Sequence, residues 1–180
     1  MRKSKPLRLP SVIAAALLAV SAAPALADKL VFDHRLYAPL KAVFDSGAQD
    51  MIQYNDKNPA YVTDLIVVRG KSVRNWTEAM IIIARKPDAK ARTAPEWLAE
   101  LKRQAAAKCP SEFAVIAEDA VSVTFERRSH GCPADYPQSA LYRIVQGKPS
   151  LFLLGAMSKD GFTAEARQSW LALFASARLD

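Results

Sequence analysis

The apolar positions of this chain fall into three patterns, and each predicts a different kind of element. Residues 12–20 are an unbroken apolar run of nine. Residues 61–69, 113–117, 121–128, 140–145 and 150–157 are short segments rich in β-branched, aliphatic and aromatic residues, bounded by Gly, Pro, Asn, Asp and Lys, and they read as strands. Trp97, Leu98, Leu101 and Ala105 recur instead at helical spacing, as do Ala166, Trp170, Leu173, Phe174 and Ala177. Thr93 and Glu96 are spaced as a capping box with Pro95 in the first turn, so the first of these helices is predicted to start there and to end near Lys108, where a cation suits the helix dipole. Thr163 is placed to cap the second.

Residues 77–85 contain the continuous run Ala79-Met80-Ile81-Ile82-Ile83-Ala84. Such a run fits a strand buried on both faces, and by periodicity alone also a buried helix segment. Gly70-Lys71-Ser72 is expected to break the preceding strand, Gly147-Lys148-Pro149 to join two strands of a hairpin, and Lys159-Asp160-Gly161 to turn the chain. Residues 28–60 carry the weakest pattern. Leu30-Val31-Phe32 and residues 41–44 predict short strands or edge segments, with turns at Ser46-Gly47, Asn55-Asp56 and Asn58-Pro59. Short connections between neighbouring strands imply antiparallel pairing. The expected class is α+β: a mostly antiparallel sheet with two amphipathic helices packed on it, in a single domain over 28–180.

The first 27 residues call for a separate reading. Arg2, Lys3, Lys5 and Arg8 precede the apolar run, and small residues follow it to Ala25-Leu26-Ala27. This is the layout of a Sec-type signal peptide, cleaved after Ala27. The run is about half of the roughly 20 apolar residues a membrane span needs, and no later segment reaches that length. Export to the periplasm or beyond is the expected localisation. The charge balance changes accordingly. The whole chain carries 25 Lys and Arg against 18 Asp and Glu, a formal net of +7. Four of those cations lie in the signal segment, so the net over 28–180 falls to +3. That weakens a nucleic-acid reading and leaves a mild bias toward an acidic partner or surface. At 51% hydrophobic residues the chain is not of disordered composition.

Cys109 and Cys132 are the two cysteines, and both follow the signal segment. An oxidising compartment favours their pairing. The local pattern supports it independently. If Glu118-Asp119-Ala120 turns the chain, a hairpin folded there pairs positions whose numbers sum to about 239, and the cysteines sum to 241. A disulfide is therefore predicted at one end of this hairpin, with Pro110 and Pro133 beyond the ladder. A C-x-x-C redox pair is absent, and a zinc site using both cysteines with His130 and His34 would lack the usual ligand spacing.

Candidate chemistry is sparse. Ser129 and His130 are adjacent, and neighbours on an extended strand point in opposite directions, so a nucleophile–base pair is not expected. Glu78, Glu118, Asp119, Glu126 and Asp135 are scattered, and Glu118-Asp119 suits a turn. No nucleophile elbow, phosphate loop or cofactor motif is present. Arg85, Lys86, Lys90 and Arg92 read as a solvated connector without the interleaved aromatics of a single-strand nucleic-acid groove. Asn75-Trp76-Thr77 matches a glycosylation sequon, which has meaning only where that machinery exists. Trp76 carries two readings: core packing, or an aromatic platform with Lys71 and Arg74 as basic neighbours.

The order Asn75-Trp76-Thr77-Glu78, an apolar strand, a helix ending in Cys109-Pro110, then Gly131-Cys132-Pro133 and a closing Trp170 helix resembles a group of small uncharacterised exported proteins of Gram-negative bacteria, over residues 60–179. The group implies no activity and no catalytic residues. The layout is also similar to the PsbP-like sandwich, which implies a non-catalytic accessory role. The expected function is that of a non-enzymatic periplasmic protein binding another protein or a cell-envelope ligand, of accessory, inhibitor or immunity type, with Lys71, Arg74 and Trp76 as its candidate surface. The alternative is a small periplasmic hydrolase whose carboxylates are brought together only by the fold. A third reading is a surface module for anionic lipid or cell-wall polymer.

Overall fold

A computed structural model describes residues 28–47, 51–54 and 61–180. Residues 1–27, where the signal peptide is expected, and the turn signals at 55–59 lie outside the described residues. The strands are β1 (Leu30–Val31), β2 (Met51–Tyr54), β3 (Tyr61–Ser72), β4 (Asn75–Arg85), β5 (Ser111–Glu118), β6 (Ser122–Ser129), β7 (Ser139–Gln146), β8 (Leu151–Ser158) and β9 (Arg178–Leu179). The helices are α1 (Ala38–Ser46), α2 (Ala94–Ala106) and α3 (Ala164–Ala175). The class is α+β, as the pattern predicts.

Seven strands form one antiparallel sheet in the order β2-β3-β4-β8-β7-β6-β5, and β1 pairs with β9 beside it. The chain crosses from β4 to the far edge through α2, then returns strand by strand until β8 closes against β4. Burial of β4 and β8 on both faces follows, and it explains their continuous apolar runs. Period-two alternation then sorts the side chains. Met80, Leu141, Leu154 and Ala156 point to one face, where Leu40 of α1 and Trp170, Leu173 and Phe174 of α3 cover them. Val123, Phe125, Ile144, Leu151 and Leu153 point to the other, beneath Trp97 and Leu98 of α2. Trp170 is fully buried. An aromatic side chain of its kind contributes on the order of 5 kcal/mol of gross apolar burial.

Local signals account for most element ends. Thr93 and Glu96 form the reciprocal capping box at the start of α2, and Thr163 accepts from the Ala166 amide at the start of α3. Asp119 accepts from the amides of Val121 and Ser122, which makes the β5–β6 turn. The β5–β6 register, Ser111 opposite Ser129 and Glu112 opposite Arg128, lies within one residue of the expected sum. Just beyond that ladder, Cys109 and Cys132 are bonded, with Cα atoms 5.6 Å apart.

Three expectations are corrected. Residues 41–44 are helical, not extended, and α1 is a third helix. Its N-cap, Tyr37, offers no side-chain cap, so the usual polar start signal is missing. Pro39 in the first turn, Gly47 in the left-handed region at φ 64°, and Leu40, Val43 and Phe44 on one face define it instead. Gly70-Lys71-Ser72 does not end β3, which continues through irregular pairing to Ser72. Arg85 is not a solvated connector residue. It is the last residue of β4, 2% exposed, with its guanidinium on Glu100 of α2 at 2.7 Å and on Asp88 at 2.7 Å.

Candidate functional site

The β3–β4 hairpin carries all three residues of the expected surface. Gly70 lies opposite Trp76 in the ladder, and a Cβ on Gly70 would meet the Trp76 Cα at 2.4 Å. Only glycine lets the two strands approach this closely, and its φ of 130° is one that other residues avoid. The strands therefore pinch together at the base of the tip, and Trp76 sits half-buried, outside both core clusters. Lys71 and Arg74 on the same tip are exposed. Lys159, from the turn between β8 and α3, joins them. Its amide donates to the Thr77 carbonyl at 2.9 Å, and its ammonium lies 4.8 Å from the centre of the Trp76 ring. Trp76 is thus not a core residue, and one cation, Lys159 from another segment, lies over its ring. Lys159 is 83 positions beyond Trp76 in sequence, so spacing along the chain holds no trace of their meeting.

Below this tip a cleft of about 240 Å³ opens between Arg69, Thr77, Glu78, Ser158, Asp160 and Thr163. A second cavity of about 170 Å³ lies against Tyr37, Pro39, Glu165 and Ser169, with Arg69, Thr163 and Ala166 common to both. Glu78 is the acid at the floor. Its Oε1 accepts from the Tyr37 hydroxyl at 2.6 Å and from the Trp170 indole at 2.7 Å. Its Oε2 faces the Arg69 guanidinium at 3.2 Å. This buried carboxylate is held by three donors from three elements, and it joins β4 to α3 and to the start of α1. Burial, and then the bond to Glu78, push the Tyr37 hydroxyl up to about 12. It stays a donor throughout the neutral range.

The remaining sequence candidates are dispersed. Glu126 faces α3, where it accepts from Arg167 at 3.0 and 3.1 Å and from Arg128 at 3.2 Å. Burial would raise its pKa, yet the two arginines hold it below the usual carboxylate value. Glu118 and Asp135 are exposed. The Ser129 hydroxyl is buried against that of Ser111 at 3.1 Å, while His130 is exposed with its ring 3.7 Å from Glu112. The two neighbours point apart, as extended geometry requires. His34 packs on Phe44, ring centres 4.7 Å apart. Among the described residues no three of His, Cys, Asp and Glu gather as a metal-binding set. No helix among them is long and apolar enough to cross a membrane. No family model matches the chain, and no curated protein matches it.

Proposed function

We propose that this chain is an exported, non-catalytic binding protein, of accessory, inhibitor or immunity type, that recognises an acidic surface on a protein partner through the β3–β4 tip. The observation that carries the reading is Trp76 held outside the core, with Lys159 over its ring and Lys71 and Arg74 exposed on the same tip. Trp and Arg are among the residues enriched at the energetic centres of protein interfaces. Of the five candidate carboxylates of a hydrolase, Glu78 and Glu126 are engaged in buried bonds and Asp119 in a turn, while Glu118 and Asp135 are exposed. The disulfide and the signal-like N-terminus support a periplasmic setting.

The test is affinity capture with residues 28–180 from envelope extract, beside the triple variant Lys71→Ala, Arg74→Ala, Trp76→Ala. The expected result is one stoichiometric protein partner that is lost with the variant and released by raised salt, at an unchanged thermal midpoint. Undiminished capture by the variant would overturn the assignment of this surface. Turnover abolished by a single carboxylate substitution, with folding intact, would restore the hydrolase.

A further inference from the structure

A different cavity, beneath the C-terminal half of α2, holds a buried cation without an acid. Arg127 of β6 is 7% exposed. Its Nη1 donates to the Tyr136 hydroxyl at 2.8 Å and its Nη2 to the Pro137 carbonyl at 3.3 Å. Its Nε is buried and has no partner. Both neighbours are uncharged, and no carboxylate pairs with this guanidinium among the described residues. The rings of Tyr136 and Tyr142 lie 4.8 and 5.9 Å from it, which offsets only part of the cost of removing the charge from water.

The guanidinium lines a half-open cavity of about 150 Å³. Leu101, Ala105 and Phe113 form an apolar wall, and Gln104 and Lys108 add a polar group and a second cation. None of the lining residues is acidic. Tyr136 uses its oxygen as an acceptor for Arg127, so its own proton is left to donate. Burial pushes Tyr142 up, so its hydroxyl is uncharged at neutral pH. A cavity of about 150 Å³ has room for a benzene ring.

We propose that this cavity is a binding site for a small organic monoanion, its carboxylate on Arg127 and Tyr136 and its apolar body against Leu101, Ala105 and Phe113. The Cys109–Cys132 bond links the segment just after α2, which carries Lys108, to the loop that carries Tyr136. It therefore fixes the two walls relative to each other. The site is independent of the β3–β4 tip. The same chemistry serves a free carboxylic acid or the C-terminal carboxylate of a polypeptide.

Calorimetric titration of residues 28–180 with benzoate, and with benzamide as its neutral counterpart, tests the proposal. Two short peptides ending in Phe, one with a free and one with an amidated C-terminus, distinguish the sources. Benzoate or the free-acid peptide is expected to bind at least tenfold more tightly than its neutral counterpart. Preference for the small acid identifies a free ligand, and preference for the peptide identifies a chain terminus. Arg127→Met is expected to abolish the difference. Tyr136→Phe, which keeps the charge and the fold, is expected to weaken anion binding severalfold and serves if the arginine variant does not fold. Equal affinity for acid and neutral probes, no binding of any probe, or unchanged affinity in both variants would overturn the proposal.

Discussion

Arg85 and Arg127 lie on the same face of the sheet under the same helix, at 2% and 7% exposure, and both stack on aromatic rings. Arg85 meets Glu100 and Asp88 in charge-assisted bonds. Arg127 meets a phenol and a backbone carbonyl, both neutral. The first arrangement neutralises its charge and joins α2 to β4. The second leaves a positive centre facing a cavity. A buried cation with an acid beside it is a fastener, and the one without an acid is what we propose as the anion-recognition group.

The sharpest way to break this comparison is to make the same substitution at both positions. Arg85→Met strands Glu100 in the interior and is expected to lower stability by about 3–5 kcal/mol. Arg127→Met strands no charge and is expected to cost less, about 1 kcal/mol, because only a phenol and a backbone carbonyl lose a donor. Denaturant unfolding of both variants measures the two effects, and equal losses would erase the distinction. Next in size is the disulfide. Cys109→Ser is expected to cost about 3 kcal/mol under oxidising conditions, read as a lower thermal midpoint that reductant no longer changes. Identical wild-type midpoints with and without reductant would contradict this.

Glu78→Gln comes third, at about 2 kcal/mol, because two buried donors and Arg69 lose an ionised acceptor. Two pH effects are smaller. Tyr37 is raised in the folded state, so its contribution is present below pH 10 and lost as pH rises toward about 12. Tyr37→Phe should flatten that alkaline limb of the stability curve. Glu126 is held below its usual value, so its contribution is present above pH 4.5 and lost as pH falls through its folded value. Glu126→Gln should flatten the acid limb, and an unaltered limb in either variant would show that another group governs it.

The sequence makes local agreements legible. The α2 start needs only Thr93 and Glu96, three positions apart, and the disulfide needs only a hairpin with a short turn between its halves. Both can be read because the cause lies within a few residues of the effect. That Lys71, Arg74 and Trp76 share one hairpin tip is legible for the same reason. What escapes depends on packing between distant segments. Glu78 finds Trp170 across 92 positions, and Arg85 finds Glu100 only after α2 has folded back over the sheet. The helix α1 escapes for another reason. With Tyr37 at its N-cap, its start carries none of the Ser, Thr, Asp or Asn side chains that announce a helix.

The small β1–β9 ladder bears on the order of assembly. Leu30 pairs with Leu179 and Val31 with Arg178, and Lys29 and Asp180 exchange both backbone hydrogen bonds at 3.1 and 2.9 Å. During synthesis the first of these strands emerges long before its partner exists. It stays unpaired until nearly everything between them has been made, so this ladder closes last. Being only two residues deep, it is also expected to open first in hydrogen exchange. A label fused after β9 would lie beside whatever precedes β1, because residues 29–31 and 178–180 share one neighbourhood.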